Sequence, residues 1–320
     1  MRMPKARGPL SEWVVARLAE GDTYLGGSAP LPADQDDEAI ALWTLHELSY
    51  RGFEDASDDA ERNPVVVVVR HDLESSLERR LRGRWDHADR PNLPAAADVP
   101  AELEELVASD DGPSLADHVR RSADVDQVLE LLRQRSVYQL KEADPTAWVV
   151  PHLPTRAKAA LMELQFDEYG NGNPNLLHAH LFAKGLESVG LRSEYGGYVD
   201  DALPETLELN NALSMFGMQR RLRGAAMGHL AAFEMTSSLP ARKIAQGLGR
   251  LGLDGDMVGY YDEHVEADAV HEQLAARDIC GTLAEDEPDQ VAEILFGAFT
   301  CLDLESRVAT ALFRAWGVER

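Results

Sequence analysis

Apolar residues recur along most of the chain at the spacing of amphipathic helices. The first such segment covers residues 36–53, where Ile40, Trp43 and Leu48 would share one buried face. A second segment follows a run of valines, and in it Leu73 and Leu77 begin an apolar row that repeats every four residues. This periodicity predicts helices that bury one face each.

The five valines at 65–69 favour a strand by propensity alone. They follow Asn63-Pro64, however, and lead directly into the leucine row. Asn before Pro is a common start of a helix, because proline fits the first helical position. We therefore predict that the valine run forms the first turns of a helix.

The chain beyond the Pro-, Ala- and Asp-rich stretch at 86–100 is predicted to be a helical bundle. Short connectors join its predicted helices, as expected in a bundle of antiparallel neighbours. The sequence predicts an all-α fold with an N-terminal helical extension at 1–113 packed on a core at 114–320. The seven predicted core helices are 115–142, 155–169, 175–189, 204–237, 240–251, 256–276 and 289–316.

Charge and composition exclude several classes of protein. The 320 residues include 31 Lys and Arg against 56 Asp and Glu, a formal net charge of −25. Such an acidic surface repels phosphate backbones and anionic lipid, so we expect no nucleic-acid or membrane partner. Apolar runs stay well below the roughly 18 residues that a membrane span needs, and the amino terminus does not read as a secretory signal. These features predict a cytoplasmic protein.

Cysteine usage restricts the kind of metal site that the chain can build. The two cysteines, Cys280 and Cys301, are far apart and form no C-x-x-C motif. Iron–sulfur clusters and thiolate zinc sites are therefore excluded. Any metal ion must be held by carboxylate oxygen and imidazole nitrogen.

The segment YYDEHVEADAVHEQL carries the most informative pattern. His264, Asp268 and His271 stand at i, i+4 and i+7. On a helix they fall within roughly 60° of one another, so they share one face. Imidazole and carboxylate together suit divalent iron or manganese. A merely polar helix face is the alternative interpretation of the same triplet.

A second pattern is the segment MELQFDEYGNGNPNLLHAH. Glu168 ends one predicted helix, a Gly- and Asn-rich turn with Pro174 follows, and His178 begins the next helix. Glycine permits the positive φ of a tight turn, so a helical hairpin can bring Glu168 and His178 together. His180 is about 200° from His178 around the helix and is expected on another face.

Two further glutamates complete the set of candidate ligands. Glu234 lies in an apolar helix with small residues, where a buried carboxylate needs a partner, either a metal ion or an arginine. Glu142 lies just before a helix-terminating Asp144-Pro145. Four carboxylates and three histidines on five predicted helices suit a carboxylate-bridged dinuclear iron site. The paired Glu-x-x-His motifs of ferritin-like proteins are absent.

These motifs resemble the heme-oxygenase-like diiron oxidases, a family of iron-containing redox enzymes. The resemblance rests on YQLKEADP, ELQFDEYGNG, HAHLF, AFE and the H-x3-D-x2-H helix, specifically over 136–273 and loosely over 36–316. It implies a heme-oxygenase-like bundle that binds two Fe²⁺ per chain, with seven metal ligands. Carried over position by position, those ligands are Glu142, Glu168, His178, Glu234, His264, Asp268 and His271.

The resemblance also implies an activity. We expect a non-heme diiron oxidase or oxygenase that uses O₂ and an electron donor, acts on a small-molecule substrate and forms a homodimer. N-oxygenation of an amine or amino-acid-like substrate is the first interpretation. Oxidative decarboxylation, C–C cleavage or desaturation of a fatty or amino acid by the same cofactor is the alternative. A non-catalytic helical binding protein is the alternative of another class, since fold alone does not define function.

Overall fold

The computed structural model describes residues 1–20, 28–88, 93–253 and 255–318, and within these the side chains of Glu20 and residues 266–270 are not described. In the described residues, the regular secondary structure is entirely helical. The α-helices are α1 (Pro9–Glu20), α2 (Gln35–Glu47), α3 (Pro64–His87), α4 (Val99–Ala108), α5 (Leu115–Arg121), α6 (Val125–Gln139), α7 (Asp144–Ala147), α8 (Thr155–Glu168), α9 (His178–Ser188), α10 (Pro204–Met218), α11 (Arg223–Met235), α12 (Ser238–Arg250), α13 (Asp256–Gln273), α14 (Thr282–Asp286) and α15 (Val291–Ala315).

The predicted all-α fold is confirmed, including the helical assignment of the valine run. Asn63 caps α3, because its side-chain oxygen accepts a hydrogen bond of 2.9 Å from the Val65 amide, and Pro64 takes the first helical position. Val66 and Val69 turn inward and start the buried row that Leu73 continues. Where the chain is described, each helix is either too short or too polar to cross a lipid bilayer.

Two of the long helices predicted from the sequence are wrong, because each is broken in the structure. The helix predicted at 115–142 divides into α5 and α6, and Asp124 forms a capping box with Gln127 at the start of α6. The helix predicted at 204–237 divides into α10 and α11 around Gln219, whose backbone is extended. Apolar periodicity continues through both breaks, so it could not reveal them.

The helix predicted at 256–276 is longer than expected and changes its winding. After α13 it continues as a π-helical segment, Leu274–Gly281, and then as α14. Segments of π-helix are uncommon and often occur near functional sites. Here the segment lies immediately after α13, which carries three of the predicted ligands.

The small residues of α11 allow this helix to pack against α15 at very short range. A Cβ atom added to Gly228 would lie 1.8 Å from the Ile294 carbonyl oxygen, and one added to Gly297 would lie 1.9 Å from the Ala225 oxygen. Only glycine tolerates such an approach between backbones. This contact fixes the position of α11 and therefore of Glu234 near its end.

The N-terminal helices contribute to the main apolar core. Leu10 of α1 and Leu77 of α3 belong to the same buried cluster as Ile294 and Phe296 of α15. The extension is therefore packed on the bundle through shared apolar contacts. The boundary at residue 113 between the extension and the core stays a prediction.

Candidate metal centre

Six of the seven predicted ligands lie together in the interior of the bundle as two groups of three. In each group, one potential ligand atom per residue lies within 4.8 Å of the other two. All six side chains are buried, with at most 7% of any residue exposed. The first group is Glu142, His178 and His264, and the second is Glu168, Glu234 and His271.

Glu168 connects the two groups. One of its carboxylate oxygens lies 3.0 Å from Nδ1 of His178, in the first group, and the other lies 3.5 Å from Nδ1 of His271, in its own group. The rings of His178 and His264 are also adjacent, with centroids 4.7 Å apart. The carboxylate of Glu168 thus contacts one histidine of each group.

The predicted helical hairpin between Glu168 and His178 is confirmed. Glu168 is the last residue of α8, and His178 is the first residue of α9, three residues later than the predicted helix start. Gly170 turns the chain with a φ of +71°, and a Cβ atom there would lie 2.6 Å from the backbone of Leu176. The turn therefore requires glycine, and it brings two candidate ligands together although they are ten residues apart.

Glu142 is held by a turn and not by a helix. It follows the end of α6 and precedes Ala143, whose φ of +70° places it in the left-handed region. The hydroxyl of Tyr260 donates to both carboxylate oxygens of Glu142, at 3.2 and 3.0 Å. The Tyr260 hydroxyl therefore holds the Glu142 carboxylate in place.

The ring of His264 is oriented by its own helix. Nδ1 lies 2.8 Å from the Tyr260 carbonyl oxygen, a contact that requires Nδ1 to carry the proton and donate it. The other nitrogen, Nε2, then has its lone pair and lies 3.5 Å from Oε1 of Glu142. Fixing one ring nitrogen as a donor is how proteins prepare the other to bind a metal.

His271 is oriented in the opposite sense. Its Nε2 lies 3.4 Å from Asp167 Oδ2, whereas Nδ1 faces Glu168 at 3.5 Å and Glu234 at 3.6 Å. Nδ1 is therefore the nitrogen directed into the second group. A carboxylate behind a histidine holds the ring in place and makes it a better ligand.

The clustered carboxylates strongly affect the titration of the histidines. Burial lowers the pKa of His271, but hydrogen bonds to Glu234 and Asp167 and the negative charge of Glu234 and Glu168 outweigh it and raise the pKa to about 9. Burial likewise opposes ionisation of Glu168, yet hydrogen bonding and the positive charge of His178 leave its pKa lowered. Protons on the histidines thus offset the negative charge of the buried carboxylates. A divalent cation would replace these protons when it binds.

The donor set fits two divalent cations that prefer oxygen and nitrogen. Each group combines imidazole with carboxylate, the combination suited to iron and manganese. The buried Nδ1 atoms of His178 and His271 face carboxylate oxygens at 3.0 to 3.6 Å. A cation bound among these atoms would take the place of the protons that hold them together in the metal-free protein.

Asp268, the seventh predicted ligand, has a side chain outside the described residues. Its membership in the site stays a prediction. Sequence reasoning missed Asp167, which is adjacent to Glu168. Its side chain is 42% exposed, and in the sequence it looks like an ordinary surface acid. It also missed Arg135 and Glu305, which lie on the wall of the neighbouring cavity.

A cavity of about 230 Å³ reaches the first group of candidate ligands. Glu142 and His264 form part of its wall, together with the aromatic rings of Phe233, Tyr260 and Tyr261. Asp110 and Ser114, which precede α5, also line it. A mostly apolar cavity with a few convergent polar groups is typical of a small-molecule site.

Comparisons with known proteins agree with this arrangement. Residues 129–306 match the family of iron-containing redox enzymes. Nitrosourea synthase from Streptomyces achromogenes subsp. streptozoticus is 30% identical over 152 residues, which are 48% of this chain and 32% of the relative. The match therefore spans about a third of that relative's length.

A similar fold occurs in a solved structure, that of a CADD-like protein of unknown function from Nostoc punctiforme PCC 73102. It superposes with a TM-score of 0.52 at 16% identity, over 69% of this chain and 95% of that chain. At this identity the likeness concerns the fold alone. The family match covers more than half of the chain and every predicted ligand. The chain belongs to the family of iron-containing redox enzymes.

Proposed function

We propose that the protein binds two iron ions and uses O₂ to N-oxygenate a small amine or amino-acid-like substrate. The observation that carries this proposal is the pair of three-residue groups joined through Glu168. One group alone would suit a mononuclear site. Two groups with a carboxylate between them suit two cations at short separation, because an anionic bridge offsets the repulsion between the cations.

The choice of N-oxygenation is supported by the curated relative. Its name states that it makes a nitrosourea, a compound in which a nitrogen atom carries a nitroso group. The aligned part of this chain is about half its length. Oxidation at a nitrogen atom is therefore the reaction that we propose for this chain as well.

The proposed ligands are Glu142, Glu168, His178, Glu234, His264, Asp268 and His271. When bound, iron would supply the electrons that reduce O₂, and an external electron donor would restore its ferrous state. The acceptor behind each ring takes the N–H of one nitrogen, so Nε2 of His264 and Nδ1 of His271 are the nitrogens that would bind a metal ion once they have lost any proton. The protein thus presents ligands whose orientation is fixed before the metal binds.

The cavity determines how a substrate approaches the site. Phe233 and Tyr261 present apolar surface next to Glu142 and His264, so a bound substrate would displace water from the ligand face. Excluding water strengthens the local electrostatic interactions and protects reactive species from hydrolysis. The substrate nitrogen would therefore be held near the first group, at the part of the wall that Glu142 and His264 form.

Metal loading tests the proposed centre. Anaerobic titration of the metal-free protein with ferrous iron should reach two irons per chain, and O₂ should then produce a transient visible absorption band. Glu234→Ala and His178→Ala should each lose at least one iron. His180→Ala is the matched control, because His180 is partly exposed and belongs to neither group, so it should bind iron like the wild type.

Substrate screening tests the reaction. In a single turnover of protein preloaded with ferrous iron, with no other reductant present, O₂ consumption should rise with amines, guanidines or amino acids, and the product should contain a new N–O bond by mass spectrometry. Binding of fewer than two irons by the wild type would reject the dinuclear site. Oxidation confined to carbon atoms, for instance of fatty acids, would instead support decarboxylation or desaturation.

A further inference from the structure

We propose that the ion pair Arg135–Glu305 binds the α-carboxylate and α-ammonium groups of an amino-acid substrate. The pair lies on the wall of the same cavity that Glu142 and His264 line. This inference deepens the proposed function by naming the class of substrate and the residues that select it. The assignment depends on the proposed function only for the other end of the substrate, which would react at the metal ions.

The geometry of the pair leaves hydrogen-bonding capacity for a ligand. Nη1 and Nη2 of Arg135 donate to the two oxygens of Glu305, each at 2.8 Å. A guanidinium has five N–H donors, and those two contacts are its hydrogen bonds within the described part of the chain. Both side chains are about one-quarter exposed, at 24% and 25%, and both border the cavity.

The position of the pair suits the length of an amino acid. Arg135 and Gln139 lie one turn apart on α6, Glu142 follows in the next turn, and all three line the cavity. At 1.5 Å of rise per residue, the helical part of this path, from Arg135 to Gln139, advances roughly 6 Å towards Glu142. An extended chain advances about 1.2 Å per bond, so a side chain of several bonds would reach from the pair to the metal ligands.

Charge balance favours a zwitterion over a simple amine. Arg135 and Glu305 neutralise each other, and the wall beside them is largely apolar, including Leu131, Ile244 and Leu302. A ligand with one charge would compete for one partner and leave the other uncompensated, which is costly in a confined site. A ligand with adjacent carboxylate and ammonium groups can pair with both residues at once.

Binding measurements with matched probes test this assignment. The full chain, loaded anaerobically with ferrous iron and also without iron, is titrated calorimetrically with L-arginine, L-lysine and L-ornithine. Their decarboxylated counterparts agmatine, cadaverine and putrescine are titrated in parallel. We expect at least one amino acid to bind tenfold or more tightly than its counterpart. The assignment is wrong if none does.

Variants identify the residues responsible. Arg135→Gln should remove at least tenfold of the amino-acid affinity and leave iron stoichiometry unchanged. Arg156→Gln is the matched control, because Arg156 forms a comparable but surface-exposed pair with Glu285 and Asp286. Arg156→Gln should change neither the amino-acid affinity nor the iron stoichiometry. If Arg135→Gln binds the amino acid as tightly as the wild type, the pair is not the recognition site.

A charge-exchanged double variant separates recognition from a structural role. Arg135→Glu combined with Glu305→Arg preserves an ion pair between α6 and α15 but exchanges the two charges. We expect the melting temperature to recover relative to Arg135→Gln, whereas amino-acid binding does not. Recovery of binding by the double variant would contradict the proposal. Failure of the wild type to bind iron would reject the proposed function. The comparison of amino acids with their decarboxylated counterparts in the iron-free protein would still test the assignment of the pair.

Discussion

The Tyr260 hydroxyl donates to both carboxylate oxygens of Glu142, at 3.0 and 3.2 Å. The same residue accepts a hydrogen bond from His264 through its backbone carbonyl. Burial, together with the negative charge of Glu142, holds the pKa of Tyr260 well above its ordinary value, so the hydroxyl keeps its proton and remains a donor. One residue of α13 thus orients two members of the first group, one through its side chain and one through its backbone.

Replacing Tyr260 with Phe should weaken metal binding at the first group. The substitution removes the hydroxyl and preserves the backbone carbonyl that orients His264, so only the support of Glu142 is lost. Loss of such a supporting hydrogen bond typically reduces metal affinity about 10- to 100-fold. Titration with ferrous iron would show a weakened first site beside an unchanged second one. Tyr261→Phe is the control, because Tyr261 lines the same cavity without a hydrogen bond to Glu142.

Asp167→Ala should weaken the second group. The Oδ2 atom of Asp167 lies 3.4 Å from Nε2 of His271, and the side chain is 42% exposed. Because water also reaches this carboxylate, we expect its loss to reduce iron affinity by only about tenfold. Glu163→Ala serves as the control, since Glu163 is an exposed acid one turn earlier on α8. Equal iron affinity in both variants would show that Asp167 does not support His271.

The candidate ligands could be predicted because each produces a local signal in the sequence. His264 and His271 recur on one helix face, and the glycine turn between Glu168 and His178 predicts a hairpin. Both signals depend on neighbouring positions, which a single sequence displays directly. The resemblance to a known family then supplied the joint assignment of ligands on separate helices.

Other features depend on contacts between distant segments and have no such signal. Arg135 and Glu305 are 170 residues apart and belong to faces that look ordinary in isolation. The breaks after α5 and α10 were missed for a different reason, because apolar spacing continues across them. A capping box does mark the first break, since Asp124 and Gln127 have the required spacing.

The buried His229 should make the protein sensitive to acid. It is 2% exposed, and burial lowers its pKa to about 4 from 6.5. Between these two values the unfolded chain binds more protons than the folded one, so stability is complete above pH 6.5 and falls as the pH drops towards 4. The loss from this group is about 3 kcal/mol.

His229→Leu should remove that part of the pH dependence. Both ring nitrogens are buried without a hydrogen bond to the described residues, so an apolar side chain leaves no polar group unsatisfied. Urea unfolding at several pH values between 7 and 4 would compare the free energies of unfolding. The two proteins should diverge as the pH falls, with the variant the more stable. Parallel curves would mean that His229 does not titrate in this range.

Gly228→Ala should disturb both stability and iron binding, because it acts on the contact that positions Glu234. The new methyl group would lie 1.8 Å from the Ile294 oxygen, so α11 and α15 must separate. Overpacking of this kind costs about 1–3 kcal/mol, and the shift of α11 should lower iron occupancy at the second group. Gly83→Ala is the matched control, since its added Cβ meets no atom within 4 Å. Because Gly83 lies in the interior of α3, its replacement by alanine should stabilise the protein by about 1 kcal/mol. Thermal unfolding and iron analysis of both variants would separate a general effect of alanine from the specific loss of close packing. Equal stability and equal iron content in the two variants would contradict the role given to the α11–α15 contact.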